Sequence, residues 1–203
     1  MRIAVGLAAI VSLLLLTSFA PRNTFSDKSV VQIKLESGGK GSAVHIGQGK
    51  FITAAHVVGS NKTVTLSAGD KDFTATVLWS SERYDLALIE STEASNLAFA
   101  KLACRLPGVG ELIESIGFPG PFGVTHTYGF VAGVTDVVEE RPLISSDVAL
   151  YPGMSGGPAI DKNGYVVGFN NSIALVPLGS TPSLSGLTFL VPALSACKLL
   201  ARA

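Results

Sequence analysis

Short apolar runs separated by glycine-containing turns dominate the chain from residue 30 onward. Apolar and polar positions alternate within many of these runs, which is typical of strands rather than helices. A first set of strands is predicted at 30–36, 42–46, 51–55, 63–67, 73–80 and 86–90, and a second set at 112–118, 125–135, 143–145, 159–160, 165–170 and 186–191. Residues 96–106 are less regular and predict a connector. The pattern indicates an all-β protein, built as barrels or as a sandwich.

Both ends of the chain depart from this rhythm. Pro192 opens a predicted helix that runs to Ala203, with leucines on its apolar side. At the other end, Met1-Arg2 precedes an apolar stretch over 3–20. We expect residues 1–22 to be a removed signal peptide or, alternatively, a retained membrane anchor, and expect an exported protein in either case. Only a retained anchor would make a membrane one of its partners.

Composition narrows the functional classes. Hydrophobic residues make up 47% of the 203 residues and charged residues 15%, which excludes a disordered, highly charged chain. Because 15 basic side chains are balanced by 15 acidic ones, we expect no nucleic-acid partner. We expect one domain made of two halves, at 23–106 and 107–203. Cys104 and Cys197 fit one disulfide or two buried thiols, and neither has the spacing of a metal site. We expect no metal and no cofactor.

Candidate catalytic residues are few, because the chain holds only His45, His56 and His126 as histidines. His56 follows an apolar strand that ends in small residues, which leaves space beside an imidazole acting as a general base. A structural histidine at a strand end is the alternative. His45 and His126 alternate with their neighbours so that we expect both on solvent-facing sides of strands. Asp85 enters an apolar run, where a carboxylate needs a partner such as an imidazole N–H; a turn aspartate is the alternative.

Ser155 lies among three glycines in Gly153-Met154-Ser155-Gly156-Gly157. Such a backbone can turn tightly and direct N–H groups at one point, as stabilising an oxyanion requires. The Gly-x-Ser-x-Gly pattern also occurs in α/β-hydrolases, but there the acid and the histidine follow the serine. No histidine follows residue 126 here, and the order His56, Asp85, Ser155 is that of chymotrypsin.

The segments 53–58, 85–88 and 153–158 resemble the triad motifs of trypsin-like serine proteases, closest in style to HtrA (Deg) protease domains. The resemblance implies two six-stranded antiparallel barrels, a C-terminal helix and a serine endopeptidase acting on proteins or peptides. It implies His56, Asp85 and Ser155 as the triad, with an oxyanion hole formed by the backbone N–H groups of Gly153 and Ser155. A pseudoprotease of the same fold that binds a partner is the alternative.

Departures from the family bear on regulation and specificity. Met154 stands where digestive relatives carry the aspartate that receives the new N-terminus after zymogen cleavage, so we expect no activation of that kind. We expect no PDZ domain, and the oligomeric state stays open. The resemblance implies a substrate pocket formed by Ala149, Asn171, Ser172 and Ile173. None of these is acidic, so we expect cleavage after small or medium aliphatic residues.

Overall fold

A computed structural model of the chain describes residues 25–138 and 141–202. The predicted signal peptide or anchor at 1–22 lies outside these residues. A 3-10 turn, Asp27–Ser29, leads into the first strand, and a second 3-10 turn lies at Thr92–Ala94. Among the residues that are described, no helix is long and apolar enough to cross a membrane.

The first barrel closes antiparallel strands in the order β1-β2-β3-β6-β5-β4. A short helix, α1, follows β3 and is capped by Gly59, whose φ of 52° stops the helical turn. The elements of this barrel are β1 (Val30–Lys34), β2 (Lys40–Gly47), β3 (Lys50–Thr53), α1 (Ala55–Val58), β4 (Thr63–Ala68), β5 (Lys71–Ser81) and β6 (Leu86–Glu90).

The second barrel follows the connector. Its strands pair in the order β11-β8-β9-β10-β13-β12, and a further pairing of β11 with β12 closes the ring. The two-residue strand β7 adds to β12 in parallel, outside the ring. The elements are β7 (Lys101–Leu102), β8 (Leu112–Gly117), β9 (Thr125–Val138), β10 (Arg141–Ser146), β11 (Pro158–Asp161), β12 (Tyr165–Leu178), β13 (Thr181–Pro192) and α2 (Ala193–Leu200).

Three apolar clusters hold the fold together. One fills the first barrel around Phe51 and Leu66, and a second fills the other barrel around Ile144 and Met154. The third lies between the barrels, where Ile52 of β3 and Phe169 of β12 belong to one buried cluster. Burial of apolar surface contributes about 25 cal/mol per Å² to the free energy of folding. This third cluster therefore fixes how the barrels pack, and with it the cleft between them.

A disulfide joins the connector to the C-terminal helix. Cys104 and Cys197 are bonded, with Cα atoms 5.7 Å apart and a sequence separation of 93 residues. Pro192 occupies the N-cap position of α2, and Ala193 is the first helical residue.

The predicted all-β class, the double barrel and the terminal helix are confirmed. One hairpin is longer than predicted: β12 and β13 pair beyond 165–170 and 186–191 and form an arm that ends at Leu178 and Thr181. Leu175 and Leu184 on this arm are exposed, so its pairing is held by ladder hydrogen bonds rather than by a core.

The prediction for His45 was wrong. It is fully buried, its ring stacks on Phe51 at 4.6 Å between centroids, and its Nδ1 lies 3.1 and 3.0 Å from the carbonyl oxygens of Leu97 and Ala98. The Gly49 N–H donates to its Nε2 at 3.1 Å. These bonds define a neutral ring protonated at Nδ1. The connector covers the face of β2 that the alternating pattern assigned to solvent.

Candidate active site

The candidate nucleophile lies on the turn between β10 and β11, at the cleft between the barrels. Gly156 next to Ser155 has a φ of 82°, and a Cβ there would lie 2.3 Å from Thr53 Oγ1 and 2.7 Å from the Ala54 nitrogen. Only glycine permits both this backbone angle and this close approach. The glycines seen in the sequence thus allow the second barrel to place Ser155 against the strand end that leads to His56.

His56 is the second residue of α1, directly after the buried residues Ala54 and Ala55. Its side chain is 49% exposed. The His56 Nδ1 lies 2.7 Å from Asp85 Oδ2, and the His56 backbone N–H donates to Asp85 Oδ1 at 2.8 Å. Because Nδ1 is engaged by the carboxylate, Nε2 is the nitrogen left to exchange a proton with a substrate or a nucleophile.

Asp85 precedes β6 with a φ of 50°, a left-handed conformation that aspartate tolerates better than most residues. Its N–H donates to the Glu82 carbonyl at 3.2 Å, which closes the turn between β5 and β6. The Asp85 side chain is 14% exposed and accepts from both His56 donors. The turn therefore orients the carboxylate towards the imidazole.

Asn171 links the candidate acid to the candidate nucleophile. Its Nδ2 donates to Asp85 Oδ2, and its Oδ1 accepts from Ser172 Oγ at 2.9 Å, which defines the orientation of the amide. The Asn171 carbonyl oxygen lies 3.5 Å from Ser155 Oγ. Sequence reasoning placed Asn171 in the substrate pocket and missed its contact with Asp85.

Ser155 and His56 are not hydrogen-bonded to each other within the described part of the chain; the one partner of Ser155 Oγ there is Asn171. In unliganded hydrolases such bonds are often long and tighten when substrate binds.

The backbone around Ser155 offers two N–H groups to a ligand. No described residue accepts a hydrogen bond from the Gly153 or the Ser155 N–H. The Pro152 carbonyl accepts from the Gly120 N–H at 3.2 Å, and in a trans peptide the Gly153 N–H points the opposite way. At a φ of 99°, with a Cβ position 2.4 Å from the Phe118 oxygen, residue 153 must be glycine.

A small cavity adjoins Ser155. It has a volume of about 160 Å³ and is lined by Leu150, Tyr151, Pro152, Ser155, Asn171, Ser172 and Ile173. Ala149, also predicted for the pocket, lines a neighbouring cavity of about 210 Å³ that shares Leu150, Tyr151 and Ile173. No described residue that lines the cavity beside Ser155 is acidic, whereas Asp147 lines the neighbouring cavity.

Two further clusters of titratable side chains lie in and next to the second barrel. Arg105 Nη1 donates to Glu111 at 2.9 Å, and this hydrogen bond holds the pKa of Glu111 below its usual range. Arg105 also donates to Asp161 at 2.8 Å. His126, on β9, contacts Glu114 at 2.6 Å, and a hydrogen bond to the same glutamate raises the pKa of Tyr128. His126 Nε2 also lies 3.4 Å from Asp27 Oδ2, so this cluster reaches the segment that leads into the first barrel.

The fold, together with the order of His56, Asp85 and Ser155 along the chain, defines the class of the protein. Residues 41–169 match the trypsin-like peptidase domain family. The chain therefore belongs to the trypsin-like peptidases, a family of serine proteases.

Within that family the chain is similar to HtrA-type proteases. It is 31% identical to the periplasmic serine endoprotease DegP of Salmonella typhimurium over 167 residues, which are 79% of this chain and 34% of that protein. It is 29% identical to a probable periplasmic serine protease (do/HhoA-like) of Haemophilus influenzae over 168 residues, 79% of this chain and 35% of the relative. The chain thus spans about a third of the length of these relatives.

Solved structures give the same result. The active form of the Rv3671c protease from M. tuberculosis superimposes with a TM-score of 0.76 at 25% identity, over 86% of this chain and 80% of that one. The inactive form of the same protease gives 0.73 at 26% identity, over 87% and 89% of the two chains.

Proposed function

We propose that the protein is an exported serine endopeptidase in which Ser155, His56 and Asp85 form the catalytic triad. The observation that carries the proposal is the double contact of Asp85 with His56, through the ring Nδ1 at 2.7 Å and the backbone N–H at 2.8 Å. This pair engages Nδ1 and supports the role of Nε2 as the general base in the proposed triad.

The reaction follows from these positions. Ser155 Oγ attacks the carbonyl carbon of the scissile peptide while its proton passes to His56 Nε2. The carbonyl oxygen becomes an oxyanion that accepts hydrogen bonds from the Gly153 and Ser155 N–H groups. The imidazolium, stabilised by Asp85, donates its proton to the leaving amine as the C–N bond breaks. Water then hydrolyses the acyl-enzyme on Ser155 by the same path, with His56 again as base.

The cavity beside Ser155 supports a preference for small or medium aliphatic residues before the cleaved bond. The cavity is small, with a volume of about 160 Å³. Ile173 and Leu150 supply apolar walls, and none of the described lining residues carries a carboxylate that would pair with lysine or arginine. Cleavage profiling with a peptide library tests this preference, and a profile dominated by Lys, Arg or Glu would refute it.

Export is proposed from two observations of different kinds. The apolar segment after Met1-Arg2 has the pattern of a leader, and the relatives above are named periplasmic proteases. Protein or peptide substrates are proposed on the same ground.

Labelling with a fluorophosphonate probe tests the catalytic proposal, because such probes react with an activated serine. The purified chain should be labelled, and the labelling should disappear in Ser155→Ala and fall strongly in His56→Ala. Ser37→Ala is the matched control, since Ser37 lies in the exposed turn after β1. Absence of labelling in a folded sample would favour a catalytically silent protein of the same fold.

A further inference from the structure

We propose that Ser42 of the first barrel is a positioning residue for the oxyanion hole, an inference that rests on the proposed peptidase function. Ser42 lies on β2, is fully buried and is remote in sequence from the nucleophile loop. Its Oγ donates to the Gly153 carbonyl at 2.8 Å and accepts from the Phe118 N–H at 3.0 Å.

The geometry of three successive peptides explains why this contact matters. The carbonyls of Pro152, Gly153 and Met154 each accept a hydrogen bond from outside the oxyanion position. Because the carbonyl and the N–H of a trans peptide point in opposite directions, these bonds direct the intervening N–H groups. Two of those groups, on Gly153 and Ser155, are the proposed oxyanion donors.

Each of the three carbonyls is held by a different partner. Pro152 is bonded to the Gly120 N–H at 3.2 Å, and Met154 to the Asn170 amide at 3.1 Å and the Gly157 N–H at 3.0 Å. These partners all belong to the second barrel. The central carbonyl, that of Gly153, is held by the Ser42 hydroxyl of the first barrel.

Ser42 also fixes the nucleophile itself. Its backbone N–H donates to the Ser155 carbonyl at 2.8 Å, and its own carbonyl accepts from Thr53 Oγ1 at 2.7 Å. All the polar atoms of Ser42 are therefore bonded. Since Gly153 has no side chain to restrict rotation of the peptide that follows it, loss of the Ser42 hydroxyl leaves this peptide held only by the Met154 N–H, which donates to the Tyr151 carbonyl at 3.0 Å.

The test compares Ser42→Ala with Ser29→Ala. Ser29 is an equally buried serine of the first barrel, whose Oγ donates to the Ser26 carbonyl at 2.7 Å away from the cleft. In Ser42→Ala we expect kcat for a peptide substrate to fall about tenfold, the effect of about one buried hydrogen bond, with KM changed less than about twofold. The inhibition constant of a peptide boronate, whose tetrahedral adduct uses the oxyanion hole, should rise by the same factor as kcat falls.

Hydrogen exchange provides a readout that does not need activity. The Met154, Gly156 and Gly157 amides are bonded within the loop, so Ser42→Ala should speed exchange in a peptide covering 152–157, and Ser29→Ala should not. Unchanged exchange and unchanged kcat in folded Ser42→Ala would overturn the proposal, as would a rise in KM alone. If the wild-type chain does not react with substrate but Ser42→Ala still exchanges faster, the peptidase function is refuted and the positioning role is retained.

If Ser42→Ala does not fold, the same measurements are made on Ser42→Cys. Its thiol is close in size to the hydroxyl but is a weak donor. It should show the same loss of kcat and the same faster exchange, and wild-type values in this variant would equally overturn the proposal.

Discussion

Replacement of Asn171 by alanine removes one donor from Asp85 without changing a residue of the proposed triad. The Asn171 amide donates to Asp85 Oδ2, the same oxygen that faces the His56 ring. A hydrogen bond to a charged group contributes about 1.5–3 kcal/mol, but the Asp85 side chain is 14% exposed, so water replaces part of the loss. The carboxylate then holds the imidazole less firmly, and we expect kcat/KM to fall about 10- to 100-fold.

Steady-state hydrolysis of a fluorogenic peptide with valine before the cleaved bond measures this effect. Asn171→Asp keeps the shape of the side chain but puts a carboxylate beside Asp85, so it should lose more activity than Asn171→Ala. Asn163→Ala, in the exposed turn between β11 and β12, is the control and should behave like wild type. Wild-type kcat and KM in folded Asn171→Ala would show that Asp85 needs no such support.

Three further predictions concern stability. Arg105 lowers the pKa of Glu111 in the folded chain, so Glu111→Gln should lower the free energy of unfolding by about 0.5–1 kcal/mol above pH ~4.3, the ordinary glutamate pKa. The difference between wild type and variant should vanish as the pH falls through the lowered pKa. Urea titrations from pH 7 to 3 measure this difference, and a difference that stays constant with pH would contradict the prediction. Reduction of the Cys104–Cys197 disulfide should cost about 4 kcal/mol in the same assay, and the double Cys→Ala variant should not respond to reductant. His45→Ala should cost about 2–4 kcal/mol by thermal unfolding, and a cost below ~1 kcal/mol would show that its buried hydrogen bonds contribute little.

The triad candidates could be predicted from the sequence because each is marked by its immediate neighbours. Small residues precede His56, a carboxylate interrupts an apolar run at Asp85, and glycines surround Ser155. The strands could be predicted for a similar reason, since alternation is a local property of the chain. The structure brings these separate signals into one cleft by packing two barrels against each other.

Contacts that depend on that packing could not be predicted. The partner of Ser42 lies 111 residues away and the partner of Asn171 lies 86 residues away, across the two barrels. No local pattern distinguishes these side chains from other polar residues on strands. The prediction for His45 was wrong for a related reason. Alternation shows which side chains share a face of a strand, but a connector distant in sequence decides whether the second face is covered.

The disulfide also has a consequence for survival among other copies of the same protease. The bond between Cys104 and Cys197 makes a covalent ring that contains Ser155 and excludes His56 and Asp85. A single cut anywhere inside this ring leaves both fragments joined through the sulfur atoms. One cut in a surface loop of the second barrel would therefore nick the molecule without releasing Ser155 from His56, and a second cut would be needed before the two could separate.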